Sequence, residues 1–247
     1  MMEVFWLEQA AGDVPLDDDW LSAGEQRILA GMKVPKRRAD WRLGRWAAKQ
    51  AVAAHRGQHF EHGSLSAIEI RPAASGAPEV FLRGEAATVS ISLSHSNGNA
   101  ACALAQAGGV VGCDLEAIET RSEIFIADYF TAEEQSIITR SSNEYRDLTV
   151  AVLWSAKESA LKALAEGLRL DTRSVSAWFE NNALEKLGGA GALAAPCTGW
   201  SELRVRHGNE QMFSGWWRSA GRLVRTVVSV PAALPPISLK NIFAANS

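Results

Sequence analysis

Two stretches carry the clearest alternation of hydrophobic and polar positions. From Val150 to Leu168, VAVLWSAKESALKALAEGL sets Val150, Leu153, Trp154, Leu161 and Leu164 at three- and four-residue steps, the spacing of one helix face, with Gly167 as its stop. From Val110 to Glu116, VVGCDLE is a short apolar run ending in carboxylates, the pattern of a buried strand. Before these, Val4 to Leu7 predicts a first strand. Ser22-x-x-Glu25 is a capping box that predicts a helix to about Met32, and a second helix is predicted from about Ala39 to His55. AIEIRP and EVFL flank the turn AASGAP. Val89, Ile91 and Leu93 alternate with Ser90, Ser92 and Ser94, and ACALAQ returns as a strand of small residues. Thr131-x-x-Glu134 repeats the capping-box pattern, and Val175–Phe179, Leu203–Val205, Met212–Arg218 and Arg222–Val230 read as strands. The Gly/Ala-rich stretch from Leu187 to Thr198 reads as a loop. Pro231 to Pro236 is expected to end the globular part, with a loose tail after it.

The order strand, helices, strands thus occurs twice. It predicts an α+β protein of two similar lobes related by a pseudo-twofold, residues 1–108 and 109–235, with a cleft between them and a tail over 236–247. No sequence repeat marks the two halves.

At 247 residues the chain can bury a substantial core, and its formal charge of −3 gives no reason to expect nucleic acid as a partner. Three cysteines, Cys102, Cys113 and Cys197, lack metal-ligand spacing, and their odd number suits a reducing cytoplasm. The opening MMEVFWLEQAAGDVPLDDDW has no basic region followed by a long apolar run, and no stretch approaches the ~20 apolar residues of a membrane span. A cytoplasmic protein with no membrane partner is expected.

The chemistry collects in the two leading stretches. Side chains alternate along a strand, so Asp114 and Glu116 project from one face about 7 Å apart while Leu115 points to the other. Two such carboxylates repel unless a cation lies between them, and a hard divalent ion such as Mg²⁺ is the usual solution. On the helix, Glu158 and Lys162 are four apart and therefore neighbours, with Lys157 beside them. A third carboxylate and two lysines would complete a site for a metal-bridged pyrophosphate. A basic cluster adds a phosphate partner: Arg27, Lys33, Lys36, Arg37, Arg38, Arg42, Arg45 and Lys49 give charge-assisted hydrogen bonds suited to a nucleotide or coenzyme entrance. Ser94-His95 closes a strand without a GxSxG elbow, so it suits donation to a phosphate better than nucleophilic attack. Gly76 allows close backbone approach to a ligand, or simply makes a hairpin turn.

Gly112-Cys-Asp114-Leu-Glu116 resembles the G-[I/V/C]-D-[I/L/V]-E motif of the 4′-phosphopantetheinyl transferase superfamily. Trp154-Ser-Ala-Lys157-Glu158-Ser-Ala-Leu-Lys162 resembles its W-x-x-K-E-[S/A]-x-x-K motif. Ser92-Leu-Ser94-His95-Ser96 and Tyr129-Phe-Thr-Ala-Glu-Glu134 resemble two weaker segments in family order, over roughly residues 20 to 235. The length is similar to the two-lobed type that activates surfactin synthetase. The resemblance implies an enzyme that moves the 4′-phosphopantetheine arm of coenzyme A, its co-substrate, onto a serine hydroxyl of an acyl or peptidyl carrier protein, releasing 3′,5′-adenosine bisphosphate. It implies Asp114, Glu116 and Glu158 as ligands of Mg²⁺ (or Mn²⁺). It implies Lys162 on the transferring phosphate with Lys157 beside it, and Arg27, Ser94, His95 and Gly76 as coenzyme contacts. The base for the carrier serine is Glu158, Glu134 or a metal-bound water. A monomer is expected, since each lobe supplies half of one cleft. Partner choice is expected in loops at Tyr145–Thr149 and Leu170–Val175.

The chain departs from the family at two places: Gly76-Ala77-Pro78 lacks the usual lysine, and Ser92 stands where asparagine is usual. Two competing readings follow, a coenzyme-A-binding protein without transfer activity and a Mg²⁺-dependent phosphohydrolase.

Overall fold

The computed structural model describes residues 1–57, 62–106, 108–165, 170–180, 199–208 and 211–239. Gly167, Cys197, the expected loop at 187–198 and residues 240–247 of the tail lie outside the described residues.

Helices and sheets are mixed, as the patterning predicts. In the first half, β1 (Val4–Ala10) is followed by α1 (Ala23–Ala30), α2 (Pro35–His55), β2 (Ile68–Pro72), β3 (Pro78–Leu82), β4 (Glu85–Ala86), β5 (Val89–Ser96) and β6 (Asn99–Gln106). In the second come β7 (Val110–Ala117), α3 (Glu123–Tyr129), α4 (Ala132–Arg140), α5 (Arg146–Ala163), β8 (Val175–Phe179), β9 (Ser201–His207), β10 (Gln211–Ala220) and β11 (Leu223–Val230). A last short strand, β12 (Ile237–Ser238), pairs parallel to β1. The expected loose tail is corrected there: residues 237–238 form the first sheet's edge, and Leu239 is buried in the first half's core.

Two further boundaries differ from expectation. Helix α2 begins at Pro35 rather than near Ala39, because proline is well tolerated at the first helical position, where its missing N–H has no partner to lose. Helix α5 starts at Arg146, a full turn before Val150, and ends at Ala163.

The first half forms a sheet of order β12-β1-β6-β5 with a separate β2-β3-β4 sheet, and the second forms β7-β11-β10-β9-β8. Matching β1 to β7, β6 to β11 and β5 to β10 gives the same strand order in both. A polar device repeats as well. In α1, Ser22 and Glu25 complete a capping box, and the Glu25 carboxylate also takes Lys49 Nζ of α2 at 2.6 Å and the Ile70 N–H of β2 at 3.1 Å. In α4, Thr131 and Glu134 do the same, with Lys157 Nζ of α5 at 2.6 Å and the Ala177 N–H of β8 at 2.8 Å. All four charged side chains are fully buried. Each lysine also lies over a ring, Trp20 at 5.7 Å and Phe130 at 5.5 Å. Burial pushes both lysines' pKa down while the paired carboxylate opposes it.

Among the described residues four apolar cores result, the smallest being Leu43, Ala47 and Ala100. One lies under α2 in the first half, and one under α5 in the second. The third joins the halves: Ala101, Ala103 and Ala105 of β6 with Val4 and Trp6 of β1 meet Val111, Cys113 and Leu115 of β7. Alternation along β6 explains its small residues, because Cys102 and Leu104 turn to the first core while the alanines let the second sheet come close.

Candidate functional site

Strand β7 and helix α5 pack backbone to backbone. A Cβ on Gly112 would sit 1.9 Å from the Ser159 carbonyl oxygen and 2.8 Å from Ala163 N, so only glycine permits this approach. Two residues on, Asp114 becomes the hub of the site. Its Oδ1 accepts from Ser94 Oγ of β5 at 2.8 Å and from Lys162 Nζ of α5 at 2.8 Å, and its Oδ2 accepts from Ser155 Oγ at 2.9 Å. Lys162 also donates to the Cys113 carbonyl at 3.1 Å. Burial works against charge on Lys162, but Asp114 beside it wins and holds its pKa above the ordinary lysine value.

Behind Asp114 runs a buried hydroxyl seam that sequence reading missed. Thr226 Oγ1 of β11 lies 2.8 Å from Ser155 Oγ and 2.7 Å from Ser159 Oγ. The signal was present in the sequence as serines at i and i+4 on an otherwise apolar helix face. Ser92 has a structural role: its hydroxyl accepts the Cys113 N–H at 2.9 Å and ties β5 to β7.

The other two predicted carboxylates flank the hub. Burial, then the negative charge of Asp114, raises the pKa of both Glu116 and Glu158. Glu158 Oε1 is buried without a hydrogen-bond partner. Glu116 accepts from Arg121, which lies just beyond β7 and belongs to no motif. Among the described residues no cluster of three His, Cys, Asp or Glu side chains stands ready in metal-ligand geometry. The three carboxylates still offer the oxygen donors a hard cation takes, and the orphaned buried Glu158 oxygen is of the kind such an ion satisfies.

On the other side of Ser94 lies an open pocket of about 440 Å³, lined by Lys36, Arg37, Trp41, Arg45, Ser94 and His95 among others. Three of the eight cations in the basic cluster therefore face it. Lys49 is spent on Glu25, Arg42 on Asp18 and on loop carbonyls, and Arg38 on the Leu29 carbonyl.

Two expected roles, those of Lys157 and Glu134, are corrected. Lys157 cannot meet a coenzyme: it is fully buried, between Glu134 and the Val175 carbonyl. Glu134 is equally enclosed, so it is not a base for a carrier serine. Arg27 is exposed on α1, donates to its own helix at Ala23, and does not line the pocket. Gly76, at φ 90°, turns the β2–β3 hairpin, and its N–H is spent on the Ala73 carbonyl. Of the stretches expected to choose a partner, Tyr145–Thr149 is mostly the first turn of α5, with Tyr145, Leu148 and Thr149 buried, whereas in Leu170–Val175 Thr172 and Val175 are buried and Asp171 and Arg173 are exposed. Among the described residues no helix is long and apolar enough to cross a membrane.

Residues 110–199 match the model of the 4′-phosphopantetheinyl transferase superfamily. A holo-[acyl-carrier-protein] synthase of Shouchella clausii (strain KSM-K16) is 37% identical over 82 residues, which cover 33% of this chain and 69% of that protein. Among solved structures, the chain is similar to a holo-(acyl-carrier-protein) synthase from Bacillus anthracis str. Ames in complex with CoA (3′,5′-ADP). That pair has 21% identity and a TM-score of 0.37, covering 44% of this chain and 100% of that one. A holo-[acyl-carrier-protein] synthase of Thermotoga maritima gives 20% identity and a TM-score of 0.34, covering 53% of this chain and 76% of that one.

Proposed function

The chain belongs to the 4′-phosphopantetheinyl transferase superfamily, and from that premise we propose how it transfers phosphopantetheine to a carrier protein. The donor is coenzyme A, the acceptor is a serine hydroxyl of an acyl or peptidyl carrier protein, and 3′,5′-adenosine bisphosphate leaves. Residues 1–108 and 109–235 act as two lobes in the manner of the two-lobed, surfactin-synthetase-activating type. The coenzyme lies along the seam where β5 meets β7.

One observation supports this reading above the rest. Asp114 joins the basic pocket, through Ser94, to helix α5, through Lys162 and Ser155. Lys36, Arg37, Arg45, His95 and Ser94 suit the phosphates of the coenzyme. Asp114, Glu116 and Glu158 would hold Mg²⁺, and that ion supplies neutralisation of the pyrophosphate when bound. Lys162, kept charged by Asp114, holds the phosphate that receives the serine oxygen and stabilises the negative charge that develops as the bond to the adenosine bisphosphate breaks. Glu158 is the side chain remaining to take the serine proton once Glu134 is set aside.

Intact mass spectrometry of a purified apo carrier protein, incubated with this protein, coenzyme A and Mg²⁺, tests the reaction. The expected result is a gain of one phosphopantetheine mass, abolished by EDTA. Consumption of coenzyme A without a carrier would favour a phosphohydrolase, and binding without a mass gain on several carriers would favour a non-catalytic coenzyme binder.

A further inference from the structure

Each of two ligand carboxylates of the proposed cation already carries a cation of the protein's own. Lys162 sits on Asp114, and Arg121 sits on Glu116. Lys162 has a task in the transfer. Arg121 has none assigned, and its surroundings are distinctive. Its guanidinium also meets Glu119 at 2.9 Å and lies 5.1 Å from the centre of the Phe125 ring. Glu116 is mostly enclosed, with 17% of its side chain exposed, whereas Glu119 is 55% exposed. Arg121, at 31%, stands between them.

We propose that Arg121 is a placeholder for the divalent cation on Glu116, which hands that carboxylate over when the ion binds and stays held by Glu119. The inference rests on the metal reading above.

The physical case has three steps. First, two carboxylates on one strand face, with Glu158 opposite, carry more negative charge than a half-buried site tolerates, so in the ion-free protein a positive group must lie on them. A guanidinium does this without being strongly hydrated, which keeps Glu116 turned into the site. Second, an ion pair on Glu116 competes directly with a cation for the same oxygens. Third, the competition stays weak because Arg121 does not lose its pairing on release: Glu119 is already within hydrogen-bond reach and is well solvated, and the Phe125 ring face holds the guanidinium plane. Glu119 thus lowers the cost of emptying Glu116.

The test is Mn²⁺ binding to the full chain, followed by electron paramagnetic resonance of the free ion, with no coenzyme or carrier present. Arg121→Gln is expected to bind Mn²⁺ about three- to fivefold more tightly than wild type, the scale of a half-exposed ion pair. Glu119→Gln is expected to bind it about threefold more weakly, because Arg121 then clings to Glu116. In the double variant the Glu119→Gln effect should vanish. A general change in charge would instead give the same Glu119→Gln weakening in both backgrounds, and that result overturns the hand-over. Unchanged or weaker binding in Arg121→Gln overturns the competition itself. Asp114→Asn separates the two levels: it should abolish Mn²⁺ binding in wild type and in Arg121→Gln alike. Binding that survives it, or no binding by any variant, overturns the metal reading and the placeholder with it.

Discussion

Lys157 and Lys162 lie five residues apart on one helix, and that separation decides their fates. At 3.6 residues per turn they point about 140° apart. Lys162 reaches β7 and Asp114, whereas Lys157 reaches α4 and β8, where Glu134 and the Val175 carbonyl enclose it. Sequence spacing alone makes both look available to a phosphate, since which side of α5 faces solvent depends on partners far along the chain. Removing one member of a buried ion pair costs about 3–5 kcal/mol, because the other charge is left uncompensated. Lys157→Ala is therefore expected to lower the urea midpoint sharply while the folded fraction keeps its KM for coenzyme A. Lys162→Ala also strips a cation from Asp114, but its own side chain is 29% exposed, so it is expected to lower the midpoint less than Lys157→Ala and to lose roughly 10²- to 10³-fold in transfer rate, the scale of one missing charge-stabilising group. Reversed outcomes, a stable Lys157 variant with a raised KM, would return Lys157 to the coenzyme.

At the scale of elements, β7 and α5 were legible because each has a strong period and its chemistry sits at fixed places on it. The helix face, the strand alternation and the two capping boxes all follow from local spacing. What local spacing leaves out is how close two elements come. Gly112 reads as one more small residue in an apolar strand, yet it sets the distance between β7 and α5 and so the reach of Asp114 to Ser155 and Lys162. Arg121 was illegible for the same reason: it sits in no periodic stretch, and only the path of the chain after β7 returns it to Glu116. Gly112→Ala places a methyl group against backbone atoms that have no flexible end to give way. Overpacking of this kind costs about 1–3 kcal/mol, and here the strand must also move off the helix. The variant should unfold at lower urea and lose transfer activity. If it folds as wild type, with full activity, Gly112 does not set the spacing of the site.

At the scale of the whole molecule, the halves repeat one strand order and one buried Glu–Lys device, although no sequence repeat announces either. The repeat consists of a few polar residues, Glu25 with Lys49 and Glu134 with Lys157, too sparse among unlike neighbours to read as a sequence repeat. The halves must also stay together, since Ser94 belongs to one and Asp114 to the other. Beyond the alanine-lined core, an ionic clamp among the described residues crosses the junction. Glu8 of β1 accepts from Arg225 Nε of β11 at 2.7 Å, from Arg218 of β10 at 3.1 Å and from Trp6 Nε1 at 2.8 Å. Burial alone would raise the Glu8 pKa, but Arg225, aided by Trp6 and Arg218, outweighs it and holds the value below the ordinary 4.5. A carboxyl that ionises more readily folded than unfolded stabilises the fold fully above the unfolded value, and this stabilisation fades as pH falls through the lower, folded value. Glu8→Gln keeps the shape and removes the charge. At pH 7 the variant should melt below wild type, and the two melting curves should converge as the pH is taken below the ordinary glutamate range. A gap that persists undiminished in acid would mean that the halves are joined here by shape, and that the charge on Glu8 contributes nothing to holding Ser94 against Asp114.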